Sequence, residues 1–197
     1  MSPNFEKAQL TATKLLLQQD LDSLYIDIRK FKFDRPIIID SYQHYAEVTH
    51  RSFYDFYCDE QNGCGVFKLR SGLNVILYDD DETCETRKHW GIVHEVGHIY
   101  LNHDSDERTE EIEAHFFTAQ ITMPEVALLY AYKCQGNLSA EDIHNNFNAS
   151  LESACRRVQT LNRKRISFNI YDKLLLKKLK PHIESAFMPV DQSTLPF

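Results

Sequence analysis

The sequence predicts an α+β fold, with a small antiparallel sheet followed by a mostly helical C-terminal half. Three observations carry this. After residue 83 apolar side chains recur at three- and four-residue spacing through one segment after another. Between residues 51 and 78 aromatic and β-branched residues gather instead, punctuated by Gly63, Gly65 and Gly72. Only six glycines and six prolines occur in 197 residues, too few for a loop-rich or low-complexity chain.

Taken in order, residues 4–28 place Leu10, Leu15, Leu17, Leu21, Leu24 and Ile28 at helical spacing, which predicts one amphipathic helix. Pro36 ends the connection, and Ile37, Ile38 and Ile39 read as a short buried strand. Ser41 can cap a second helix to residue 48. Phe53, Tyr54, Phe56 and Tyr57 read as sheet core, and residues 73–78 as a clear strand. That strand is either a plain core strand or one lying at a cleft, able to take a substrate chain as an added strand. Asp79, Asp80, Asp81 and Glu82 then break the pattern as a solvated loop rather than a cation site. Thr83 can cap a helix to residue 102, and a turn at residues 104–106 leads to a helix over 107–122. Pro124 opens another helix, which reaches residue 134 before the stop at Gly136 and Asn137. Ser139 and Ser150 can cap helices over 140–147 and 151–161. Residues 166–170 are a strand candidate and 174–179 a helical one, with a loose tail after Pro189.

Composition bounds the function. Twenty-nine acidic residues against 22 basic ones give a net charge of -7, a field that repels phosphate and argues against general binding to nucleic acid or a membrane surface. The N-terminus lacks the basic-then-apolar pattern of a signal peptide, and no run approaches the ~20 apolar residues of a membrane span. The five cysteines (Cys58, Cys64, Cys84, Cys134, Cys155) have no CxxC spacing and read as reduced thiols of a cytoplasmic protein.

The informative residues are His94, Glu95, Val96, Gly97 and His98, an H-E-x-x-H motif. Residues four apart on a helix differ by about 40° of rotation, so His94 and His98 share a face and can bind one zinc ion together. Glu95 lies about 100° round from His94, placed to act as general base on a water without occupying a coordination position. Ile92, Val96 and Ile99 give this helix an apolar stripe, and Gly97 inside it suggests a close backbone approach, for instance to a strand.

A catalytic zinc needs a third protein ligand, and the candidates are His103, Asp104, Glu110, Glu111, Glu113 and His115. The pattern H-x-x-G-x-x-H fails, because counting from His98 puts Leu101 at the glycine and Asp104 at the histidine. The remaining source is the next helix. If it returns antiparallel, Glu111 and His115 project together beside the stripe of Ile112, Phe116 and Ala119, with Glu111 as ligand and His115 as its supporting partner. Glu110 and Glu113 stand close enough to be alternatives.

The run from His94 to His103, followed by Glu111, Ala114, His115, Phe116, Phe117, Ala119, Met123 and Pro124, resembles the ImmA/IrrE family of metallo-endopeptidases. The resemblance is close from about residue 73 to 124, with the strand at 74–77 and Arg87 also similar. It implies a zincin-like domain over residues 1–197, with a catalytic core at about 36–134 and a helical part at about 139–190. It also implies one zinc ion on His94, His98 and Glu111, with Glu95 as general base. His115 departs from the family's usual Asn or Asp and could orient Glu111 or touch the metal. The implied substrate is a helix-turn-helix transcriptional repressor of a mobile element, phage or stress response. An acidic protease suits a basic DNA-binding substrate. The alternative is a non-catalytic regulatory or toxin-associated protein that uses the same fold to bind a repressor or DNA.

Two further features need a reading. Tyr100 and His103 follow the motif and are candidates for stabilising an oxyanion, although His103 fits better as a surface histidine at a helix C-terminus. The helices at 140–147 and 151–161, with Arg156, Arg157, Arg163, Lys164 and Arg165, could form a DNA-binding helix-turn-helix, but a structural or substrate-docking role fits the net charge better.

Overall fold

The computed structural model describes residues 2–56, 64–105, 107–161 and 168–188. The first helix, α1 (Phe5–Leu17), is capped by Asn4, whose side chain accepts from the Lys7 N–H at 3.0 Å. It stops well short of residue 28. Gln19 donates to the carbonyls of Leu15 and Lys32 and accepts from the Lys32 N–H, so its amide replaces the next helical turn. Leu24 and Ile28 keep the predicted apolar phase and are buried, but Ile28 sits in a separate 3-10 turn.

Strand β1 (Ile37–Ser41) runs into α2 (Tyr42–Thr49), whose predicted cap is present: the Ser41 side chain accepts from the His44 N–H. Strands β2 (Cys64–Lys68) and β3 (Asn74–Tyr78) form a hairpin, with Gly72 at φ 84° in its turn. The order is β1-β3-β2, with β2 antiparallel and β1 parallel to β3. The sheet is therefore mixed rather than wholly antiparallel, because β1 reaches β3 through a helix-containing crossover and not a hairpin. β3 is the central strand, paired on both edges, with Val75, Ile76 and Leu77 fully buried. It has no edge for a substrate strand, so of its two readings the core strand holds. Phe53 and Tyr54 lie in a 3-10 turn rather than a strand. Phe53 and Phe56 close a small second core over Tyr42, Tyr45 and Phe67. Tyr57 lies outside the described residues.

The main core is helical. α3 (Glu85–Leu101) starts at Cys84 rather than at a Thr83 cap, and α4 (Arg108–Thr122) packs across it. Gly97 accounts for the closeness of that packing. A Cβ there would lie 3.0 Å from Phe117 Cδ1 and 3.5 Å from Ala114 Cα, so the close approach is to α4, not to a strand. α5 (Glu125–Gln135), α6 (Ala140–Asn146), α7 (Leu151–Leu161) and α8 (Ile170–Phe187) complete the described helices, with α8 packed on α5 and α1. Asn169 and Asp172 form a capping box, which makes Ile170 the first residue of a long helix rather than the end of a strand.

Arg157, offered above as part of a basic DNA-binding end, points inward. It is 5% exposed, donates to the Met123 carbonyl at 3.0 Å and lies 3.8 Å from Glu125. Arg156 pairs with Glu152, and Arg163, Lys164 and Arg165 lie outside the described residues. Among the described residues, no helix is long and apolar enough to cross a membrane.

Candidate metal centre

The site is built where α3 and α4 face each other. They run antiparallel: Gly97 opposes Ala114, while the rings of His94 and His115 are 4.5 Å apart. One helical turn separates His94 from His98, so their rings come off α3 together, 4.7 Å apart. Their Nε2 atoms are 3.0 Å from each other. Glu111, in the first turn of α4, places its carboxylate 3.3 Å from His94 Nε2 and 3.2 Å from His98 Nε2. His94, Glu111 and His115 also offer ligand atoms that lie within 4.8 Å of one another.

The other two glutamates are occupied elsewhere. Glu110 accepts from the Ser105 N–H and hydroxyl. Glu113 is buried, accepts the Asn4 N–H at 2.7 Å and contacts His103 Nε2 at 3.2 Å. Burial alone would raise the Glu113 carboxyl; the Asn4 N–H and His103 outweigh it and hold the group below its usual range. Of the three candidates, the geometry brings only Glu111 to both histidines.

Burial governs the protonation of His94. Its side chain is 3% exposed, and desolvation, reinforced by His115, His98 and His103, pushes its pKa down to about 3. His94 is thus neutral at ordinary pH, with a lone pair to offer. Partial burial also lowers His115, opposed by Glu111. Glu95, next to His94 on α3, is 9% exposed.

Two of the sequence expectations are corrected here. Tyr100 does not face the cluster: its hydroxyl donates to Asp34 at 2.6 Å, and its ring carries the Arg35 guanidinium at 4.8 Å. Burial and Asp34 raise its pKa. His103 is not a surface histidine. Its side chain is 3% exposed and its Nδ1 lies 3.2 Å from His98 Nδ1. Glu113, a ligand candidate by sequence, instead contacts His103. Nothing in local spacing signals it, because its other partner, Asn4, is 109 residues away.

Beside His115 lies a cavity of about 800 Å³, lined chiefly by Phe5, Trp90, Ile112, Phe116 and Met123, with Arg87 and Arg156 among its polar residues. His115 is a wall common to this cavity and the His–Glu cluster.

No curated protein and no solved structure matches the chain. Residues 54–159 match a family model, Peptidase_M78, described as the IrrE N-terminal-like domain. That stretch is more than half of the chain and contains the whole histidine helix, Glu111 and the cavity walls on α3 and α4. The chain belongs to the Peptidase_M78 family, a family of metallopeptidases.

Proposed function

We propose that this protein is a zinc-dependent endopeptidase whose substrate is a helix-turn-helix transcriptional repressor. One observation carries the catalytic part: two imidazole nitrogens lie 3.0 Å apart, and each is 3.2 to 3.3 Å from one of the two oxygens of the Glu111 carboxylate. Ligands on a tetrahedral zinc with bonds of ~2.0–2.1 Å lie about 3.3–3.4 Å apart, so these separations are close to the edges of such a site. Two imidazole nitrogens facing each other beside a carboxylate also form a donor set that favours a cation. His94, His98 and Glu111 would hold the ion, and His115 offers a nitrogen within 4.8 Å of the ligand atoms of His94 and Glu111.

Zinc bound there supplies a Lewis acid that polarises the scissile carbonyl and brings the pKa of water towards neutrality. Glu95 takes the proton from the attacking water and returns it to the amine nitrogen as the peptide bond breaks. Its position beside His94, off the shared face of His94 and His98, suits this role. The apolar cavity next to His115 receives a side chain of the bound segment.

The repressor assignment rests on the likeness described above and on charge. A chain with net charge -7 attracts a basic DNA-binding protein. The test is incubation of purified protein and zinc with a candidate helix-turn-helix repressor, taken first from any encoded in a neighbouring gene, looking for one discrete cut. Glu95→Gln should retain zinc by elemental analysis and lose cleavage by at least ~100-fold, whereas His94→Ala should lose both. Wild-type protein that takes up no zinc when supplied with it would sink the proposal.

A further inference from the structure

We propose that Glu113 and His103 form a proton-fixing relay that holds His98 in the one tautomer able to bind a metal through Nε2. The inference rests on the zinc reading above and deepens it.

The relay begins with a backbone turn. α3 ends at Asn102, which adopts the left-handed conformation at φ 55° and lets the chain fold back on its own last turn. The His103 N–H then bonds to the His98 carbonyl at 3.0 Å. This fixes His103 behind His98, on the opposite side of the ring from His94 and Glu111. Ring meets ring there, Nδ1 to Nδ1 at 3.2 Å, and the far nitrogen of His103 meets Glu113 Oε2 at 3.2 Å.

Donor and acceptor roles follow in sequence. A carboxylate only accepts, so His103 Nε2 must carry the proton. With the His103 ring neutral it has one N–H, so its Nδ1 is then bare and accepts. His98 Nδ1 therefore carries a proton, and His98 Nε2, the atom that faces His94 and Glu111, is left with its lone pair. Ring orientation and tautomer are set together, as expected for a group that supports a metal ligand from behind. The relay is also tied to the start of the chain, since Glu113 Oε1 accepts the Asn4 N–H at 2.7 Å.

That last bond makes Glu113→Gln an informative change. Asn4 donates, so the glutamine must turn its carbonyl oxygen towards Asn4 and its NH2 towards His103. His103 Nε2 would then accept, the proton would move to His103 Nδ1, and His98 would be driven to the Nε2–H form. The side chain keeps its size and both hydrogen bonds, but the polarity of the relay is reversed.

The experiment uses the full-length protein, labelled with 15N in its histidines, with and without zinc. Long-range 1H–15N spectra distinguish Nδ1–H from Nε2–H rings. In the wild type, His103 should be Nε2–H in both states, and His98 should be Nδ1–H in the metal-free protein. Glu113→Gln should invert both and weaken zinc binding about 10–100-fold, measured by competition with a chromophoric chelator. The wild-type tautomers decide the matter even if the variant folds poorly. An Nδ1–H His103 in the wild type, or a folded Glu113→Gln with unchanged tautomers and unchanged zinc affinity, overturns the relay. Wild-type protein with the predicted tautomers but no zinc uptake overturns the zinc reading instead.

Discussion

Gly97→Ala sets two physical effects against each other. In an exposed helix interior the change would stabilise by ~1 kcal/mol, from helix propensity alone. Here the added Cβ would sit 3.0 Å from Phe117 Cδ1, 3.4 Å from Phe117 Cγ and 3.5 Å from Ala114 Cα. Phe117 and Ala114 are both fully buried, so neither can swing out into solvent. Relief requires α4 to move away from α3 by a few tenths of an ångström, or the Phe117 ring to leave its preferred rotamer. Overpacking of this kind costs ~1–3 kcal/mol, which leaves a net loss of about 0–2 kcal/mol. The more telling effect is at the cluster. Glu111 lies one turn before Ala114 on α4, and His98 follows Gly97 on α3, so separating the helices lengthens the 3.2 Å approach of Glu111 to His98. Urea unfolding should therefore show no stabilisation, and zinc affinity should fall. Adding Phe117→Leu should recover part of the loss, with a coupling of ~0.5 kcal/mol or more in the double-mutant cycle. A Gly97→Ala protein more stable by ~1 kcal/mol, with zinc affinity intact, would show that Gly97 is not the spacer between the ligand helices.

Two other outcomes are expected. Arg157→Ala removes a buried donor from the Met123 carbonyl and leaves Glu125 without its cation, so a loss of about 3–5 kcal/mol should appear in urea unfolding; a change below 1 kcal/mol would contradict this account. His89 is buried and accepts the Ile28 N–H through Nε2. Desolvation, only partly opposed by Asp27, depresses its pKa to about 4, so between pH 6.5 and 4 the unfolded chain binds a proton that the folded one refuses. Stability should then fall as pH drops through 6.5 and level off below about 4, for a total near 3 kcal/mol. His89→Gln keeps an acceptor but does not titrate, and should flatten that part of the urea-midpoint profile. An acid slope equal to that of wild type would refute it.

What could be read from the sequence was the part governed by helical periodicity. His94, His98 and Glu111 lie on helices whose apolar stripes fix which way each face points, and a short connection between those helices forces them antiparallel. Partner choice was less legible. Tyr100 follows His98 by two residues, but Asp34, distant in sequence, claims its hydroxyl. His103 reads as an ordinary C-terminal histidine until the left-handed turn at Asn102 folds it beneath His98. Arg157 reads as part of a basic surface, while its guanidinium is spent on a carbonyl 34 residues earlier. One miss did have a signal: Asn169 and Asp172 have the spacing of a capping box, which argued for a helix from Ile170 and against a strand ending there.

The contacts that were hardest to read give the N-terminal segment its place in the site. The family match begins at residue 54, yet α3 and α4 are held in register by residues before it. Lys7 donates to the Leu101 carbonyl at 2.5 Å, and Arg35 bonds to Asn102 Oδ1 at 2.9 Å and to the Ile99 carbonyl. Asn4 secures Glu113. These three residues converge on the last turn of α3, on the left-handed turn that follows it and on the glutamate that turn faces. The carbonyls at that helix end carry partial negative charge, which the two cations offset. They thereby stabilise the unusual backbone at Asn102 that places His103 behind His98. The cluster of His94, His98 and Glu111 is local to two helices, but the contacts that secure the turn and the glutamate behind His98 come from the first 35 residues of the chain.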